Sequence, residues 1–169
     1  MMNKTNLDLN KKRWGEFVFE QTFKIESTLN GIDSEKLNKR EGSIPYLTRS
    51  DKNNGYSSFI SKQEDRYRTN EANVITVGLD TQTVFYQPNK FYTGQNIQIL
   101  KCLELNKNVA RFLIPLIKRQ MQKFSWGGNG ATLSRLRRSK LFLPIDEQSK
   151  PDFEFMEAFI KNKEQAKLL

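Results

Sequence analysis

The sequence predicts an α+β domain with several antiparallel strands and hairpins, followed by a C-terminal helix. Short runs rich in Val, Ile, Tyr and Phe alternate with Asn, Asp and Gly turns over the first hundred residues, as hairpin strands do. After Asn106 the apolar residues recur at spacings of three and four, the period of an amphipathic helix. A length of 169 residues suits one domain better than two. Hydrophobic residues make up only 37%, yet twelve Phe, five Tyr and two Trp supply the bulk for a core, which argues against wholesale disorder.

Residues 1–13 read as a flexible basic arm. Trp14 to Ile25 carries aromatic and β-branched residues in partial alternation and is expected to be extended. Residues 27–42 are polar and form a loop or one helical turn. Gly42 to Thr48 follows as a short strand in which Pro45, lacking an amide donor, argues for an edge position or a strand start. Arg49 to Gly55 is turn chemistry, Asn54-Gly55 being suited to positive φ, and Tyr56 to Ile60 returns as a strand. Asn73 to Leu79 and Thr83 to Gln87 flank Asp80-Thr81-Gln82 as a hairpin. Gln95 to Leu100 is a further strand, with Ile97 and Ile99 on one face.

The helix that begins after Asn106 or Asn108, either of which can cap it, presents Val109, Phe112, Leu113, Leu116, Ile117, Met121 and Phe124 on one stripe. Pro115 is expected to kink or split it. Gly127-Gly128-Asn129-Gly130 resists regular structure and either cradles a phosphate through its backbone amides or simply connects. The Arg-rich Leu133 to Lys140 precedes a strand-like Leu141 to Pro144. Ser149 is a possible cap for the final helix, whose Phe153, Met156 and Ile160 alternate with Phe155 and Phe159 in a wide apolar face. That face packs on a partner helix or on the parent domain.

Catalytic readings fail on composition. With no His and a single Cys, Cys102, there is no zinc-finger spacing, no His-based triad and no internal disulfide. Any metal would need a carboxylate site. Pro151-Asp152 could open a nuclease pattern, but the downstream Glu157 and Glu164 lack a lysine two residues on and lie in a helical stretch. The glycine loop ends in no Lys-Ser/Thr pair, and no Asn-Pro-Pro-aromatic motif of an amino-methyltransferase is present. The chain is therefore expected to be no enzyme and to hold no cofactor and no metal. It lacks an apolar run of membrane-spanning length and an N-terminal secretory pattern, and is expected in the cytoplasm.

The net charge is +9. Almost all of it lies in residues 111–140, which hold eight basic residues and no acid. Such a segment is either a polyanion-binding face or a solvated basic helix. Arg135, Arg137 and Arg138, with Lys118, Arg119 and Lys123, supply the charge. Arg can fork onto guanine and Asn or Gln onto adenine, while Lys and hydroxyl groups meet phosphate. The hairpin tips offer these groups at Arg49, Ser50, Lys52, Asn53, Asn54, Thr81 and Gln82, although ordinary turn polarity would supply the same residues.

The order of these pieces resembles a known family. Trp14 to Ile25, then Gly42-Ser43-Ile44-Pro45-Tyr46-Leu47-Thr48-Arg49-Ser50 with Asn53-Asn54-Gly55, then Val74 to Gly78 leading to Val84 to Gln87, looks like a target recognition domain. Such domains occur in specificity subunits of type I restriction-modification systems and of related type II systems. Phe124 to Gly130, Leu133 to Arg138, Leu141 to Pro144 and Pro151-Asp152 with Met156 match the end of the same domain, so the likeness covers about residues 14–160. The resemblance implies a noncatalytic reader of double-stranded DNA. It would dock a DNA methyltransferase, which flips and methylates adenine, and in restricting systems a restriction subunit. It implies DNA-facing loops at Arg49 to Asn54, at Thr81-Gln82 and at Lys90 to Thr93, the last including Tyr92. It also implies a recognition domain over 14–150 and a helix over 151–169 that packs on another helix, through Phe153, Met156 and Ile160, in a partner or a homodimer. Type I subunits usually carry two such domains and two long helices, whereas this chain has one of each. Two rival readings stand beside it: a general single-stranded nucleic-acid binder that stacks bases on Trp126, Tyr92 and Phe91, and a module that binds an acidic protein.

Overall fold

The structure, a computed structural model, describes residues 7–28, 30–124 and 132–167. Its strands are β1 (Trp14–Val18), β2 (Lys24–Ser27), β3 (Glu41–Leu47), β4 (Tyr56–Ile60), β5 (Val74–Gly78), β6 (Thr83–Gln87), β7 (Tyr92–Thr93), β8 (Ile97–Lys101) and β9 (Lys140–Pro144). Its helices are α1 (Phe19–Thr22), α2 (Lys107–Met121), α3 (Leu133–Arg138) and α4 (Phe153–Ala166). Among the described residues the strands make three sheets, ordered β1-β9, β2-β8-β5-β6 and β4-β3-β7. Every pairing is antiparallel except the short parallel one of β3 with β7. The α+β class read from the sequence is the class observed.

The four-stranded sheet is buried on both faces. Ile75, Val77 and Leu100 join the cluster formed by Val109, Leu113, Ile117 and Met121 of α2 with Phe155 and Met156 of α4. From the opposite face Val74, Ile97 and Ile99 meet Leu47 and Phe91. Ile97 and Ile99 thus share a face, as their alternation predicts. A third cluster of Ile32, Tyr46, Ile60 and Tyr92 fills the three-stranded sheet. Leu113 and Ile117 are fully buried, and side chains of this kind each contribute about 1.5–3 kcal/mol. The side chain of Asn106 caps α2 by accepting from the amides of Asn108 and Val109.

Four expectations are corrected. Trp14 to Ile25 is not one extended run, because α1 intervenes: Phe19 is fully buried, its amide donates to the Ser139 carbonyl, and the chain passes from one sheet to another. Pro45 sits within the central strand of its sheet, where β7 begins only beside Tyr46, so the missing donor faces no long ladder. Pro115 lies inside α2 without splitting it. A proline there forgoes one helical bond, at about 3 kcal/mol, and burial of the α2 face on both sides of it outweighs that. Asp152, not Ser149, caps α4, accepting from the Phe155 amide at 2.9 Å. Within the expected arm Lys12 pairs with Asp152 at 2.5 Å, and the Leu9 carbonyl accepts from the Trp14 indole.

Candidate nucleic-acid interface

Two hairpin turns and the approach to β8 come together at one edge. The first turn, between β3 and β4, closes through Thr48 N donating to Gly55 O, and its Asn53, Asn54 and Gly55 adopt φ of 50°, 58° and 80°. Asn and Gly tolerate the left-handed region better than other residues, which is why the turn forms here. Gln82 in the second turn and Asn96 before β8 have φ of 57° and 61°. Asp80 links all three segments. Its Oδ2 accepts from Arg49 Nη1 at 2.7 Å and from Asn96 Nδ2 at 3.1 Å.

The structure separates the candidate amides. Asn54 Nδ2 donates to the Tyr86 carbonyl at 3.0 Å and to Gln87 Oε1 at 3.3 Å, so its amide anchors the turn to β6. Gln82 Nε2 donates to the Phe124 carbonyl and holds the second turn against the end of α2. Asn53 is exposed, and its side chain makes no hydrogen bond among the described residues. Arg49, Lys52, Thr81 and Lys90 are also exposed. Ser50 Oγ accepts from the Lys52 amide at 3.1 Å, and Thr81 Oγ1 is 3.0 Å from Thr83 Oγ1.

Tyr92 and Thr93 are corrected as DNA contacts. They form β7, they are 2% and 0% exposed, and the Tyr92 hydroxyl accepts from the Gln63 amide. Phe91 is buried as well, which removes two of the three rings of the single-strand reading. The third ring, Trp126, and the Gly127 to Gly130 loop lie outside the described residues. The signal was present in the sequence: Phe91-Tyr92-Thr93 has strand composition.

The cationic segment builds a groove of about 700 Å³ where α2, the end of α3 and β9 meet. Arg119, Lys123, Arg138 and Lys140 line it together with Glu16 and the 55%-exposed Phe142. Lys140 pairs with Glu16 at 2.6 Å. Arg119, Lys123, Arg137 and Arg138 form no ion pair among the described residues. Arg137 Nη2 reaches the Ile25 carbonyl at 3.4 Å, Arg138 Nε reaches the Ser134 carbonyl at 3.3 Å, and Arg135 is half-buried. Lys118 Nζ stands 5.4 Å over the Phe85 ring. Phe124 both lines the groove and receives Gln82, so the groove adjoins the second hairpin tip. Sequence alone does not single out Glu16 or Phe142, since an acid or aromatic in a strand has many ordinary uses, and it marks Asp80 only as part of a hairpin tip.

Of the proposed partner-binding residues, Met156 is fully buried in the chain's own core and is corrected on that ground, whereas Phe153 and Ile160 are half-buried. The α4 helix packs along α2, with Phe159 edge-on to Phe112 at 5.7 Å. Asn106 Nδ2 donates to Glu157 Oε2 at 3.2 Å. The hydrogen bond from Lys161 holds the Glu157 carboxyl below its ordinary range, with Asn106 acting in the same direction. No helix among the described residues is long and apolar enough to cross a membrane.

A family model described as "Type I restriction modification DNA specificity domain" matches residues 11–169. The specificity subunit S.BcgI of the type II restriction enzyme BgcI, from Heyndrickxia coagulans, is 30% identical over 130 residues, covering 76% of this chain and 38% of that protein. Two solved structures share the fold. The S subunit of a type I restriction-modification system from M. genitalium has a TM-score of 0.66 at 16% identity, over 92% of this chain and 39% of that one. The HsdS subunit from Thermoanaerobacter tengcongensis has a TM-score of 0.60 at 11% identity, over 95% of this chain and 39% of that one. The chain spans about two fifths of the length of these relatives.

Proposed function

Because the chain belongs to the type I restriction modification DNA specificity domain family, we propose that it is a noncatalytic reader of double-stranded DNA that brings a partner methyltransferase, and in restricting systems an endonuclease, to a sequence. The observation that carries this reading is the joining of the hairpin tips through Asp80 at one edge, where Arg49, Lys52, Asn53 and Thr81 are exposed. The major groove of a duplex admits a two-stranded ribbon. There the free amide of Asn53 would fork onto an adenine edge, and Lys52 and Thr81 would meet phosphates. The acid-free helices beside the tips would supply sequence-independent attraction. Base flipping and methyl transfer belong to the partner. The half-buried Phe153 and Ile160 on α4 offer an apolar seam along which a partner helix or a second copy would lie.

An electrophoretic shift with a random duplex pool, followed by selection and competition, tests this. The expected result is duplex binding with a recoverable consensus. Preference for single strands would support the general nucleic-acid binder, and absence of any nucleic-acid shift would leave the acidic-protein module.

A further inference from the structure

We infer that the groove between α2, α3 and β9 is a binding site for the phosphodiester backbone, a contact separate from the base-reading tips, and that Glu16 limits its strength. The inference rests on the duplex-binding reading above. Four cations converge on one concavity from two stretches of the chain: Arg119 in α2 and Lys123 just after it, then Arg138 at the end of α3 and Lys140 at the start of β9. Three of them, Arg119, Lys123 and Arg138, have no carboxylate partner among the described residues. Cations gathered this closely repel one another, and the repulsion is relieved when a polyanion enters.

The groove also has a position consistent with one particular occupant. It shares Phe124 with the anchor of Gln82, so it lies next to the second hairpin tip on the same body. A duplex engaged by that tip would run its backbone past the groove mouth, and a phosphate held there would set the register in which the tips meet the bases. Phe142, more than half exposed at the rim, gives an apolar face for a sugar.

Among the described residues Glu16 is the one acid that lines the groove, and it holds Lys140 at 2.6 Å. A phosphate that enters must compete with this carboxylate for Lys140 and also approach its negative charge. Removing the carboxylate should therefore strengthen DNA binding, an outcome that damage to the fold would not produce.

The test is fluorescence anisotropy of the full chain with a labelled mixed-sequence duplex over a range of KCl concentrations. Melting curves serve to confirm that each variant is folded. Each phosphate contact contributes about 0.9 to the slope of log K against log salt, so the Lys123→Ala/Arg138→Ala pair should flatten that slope by about 1.8. Glu16→Gln should tighten binding severalfold at low salt. Wild-type slope in the double variant, or weaker binding by folded Glu16→Gln, overturns the assignment while leaving the duplex reader intact. If the double variant loses binding to polyglutamate but not to duplex, the groove is a site for an acidic protein segment and the assignment also falls. If the wild-type chain binds no duplex, the functional reading fails and takes the groove assignment with it.

Discussion

Arg49 Nη1 lies 2.7 Å from Asp80 Oδ2, an ion pair that fastens the turn after β3 to the turn after β5, and Asn96 donates to the same oxygen. The two side chains are 47% and 34% exposed. A pair this open to water adds at most about 1 kcal/mol to stability. Its consequence is geometric, because base edges are read only when the reading groups are held at fixed spacing.

Asp80→Asn keeps the side-chain shape and removes the charge, releasing Arg49. Selectivity between a selected duplex and a scrambled one should fall on the order of tenfold, the scale of one base contact, while binding to scrambled DNA holds or tightens. Titrations of both duplexes measure it, and Asp80→Glu should recover part of the selectivity. Unchanged selectivity in Asp80→Asn would show that the bridge does not govern reading.

The neighbours Asn53 and Asn54 should behave differently. Asn54 anchors its turn to the Tyr86 carbonyl and has φ of 58°, so Asn54→Ala should lose about 1–2 kcal/mol from the broken bond and the left-handed strain on alanine. Asn53 also sits at positive φ but has no side-chain bond among the described residues. Asn53→Gly removes the amide without that strain and should leave the melting temperature nearly unchanged while altering the selected consensus. Equal melting shifts in the two variants would contradict this division of roles.

Gly42 lies where the β3–β4 register shifts, and a Cβ there would stand 2.4 Å from the Ile60 carbonyl carbon and oxygen and the Ser61 nitrogen. These are backbone atoms that cannot rotate aside. Gly42→Ala should destabilise the chain by about 1–3 kcal/mol, read as an earlier midpoint in urea. A midpoint at the wild-type value would mean that the strands separate freely at this bulge.

Burial, with the Glu104 charge next, pushes the Cys102 thiol up to about 11. Its thiolate fraction at pH 8 is then on the order of 10²-fold below that of a free cysteine, so iodoacetamide should label it correspondingly slowly. A folded pKa above the ordinary thiol value means that this group's stabilisation is present below the ordinary value and is lost as pH climbs towards about 11. Labelling at the rate of free cysteine would contradict the burial.

Hydrogen bonding from Lys101, and secondarily from Lys24, holds the Glu26 carboxyl below its ordinary range. A lowered folded pKa places its stabilising contribution above the ordinary carboxylate value and removes it as pH falls through the folded value. In Lys101→Met the Glu26 titration, followed by NMR, should move up. An unmoved titration would assign the shift to Lys24 alone.

The hairpins were legible in sequence because their causes are local. Asn54-Gly55 and the Asp80 to Gln82 turn bend the chain within a few residues, and the strands around them alternate in the expected sense. The α2 stripe and its Asn106 cap were legible for the same reason. The break at Phe19, the central place of Pro45 and the burial of Tyr92 and Thr93 were not. Each depends on which strand lies alongside, a matter settled by residues far away in the chain.

Charge placement and turn positions follow from the amino-acid order alone, since steric limits on φ and the sum of charges need no knowledge of packing. Which polar groups at the tips remain available was decided only by the tertiary structure. Asn54 and Gln82 give their amide donors to carbonyls 32 and 42 residues away, at Tyr86 and Phe124, while Asn53 keeps its own. A hydrogen bond satisfied inside the fold is withdrawn from recognition, and only the folded chain determines where its partners stand.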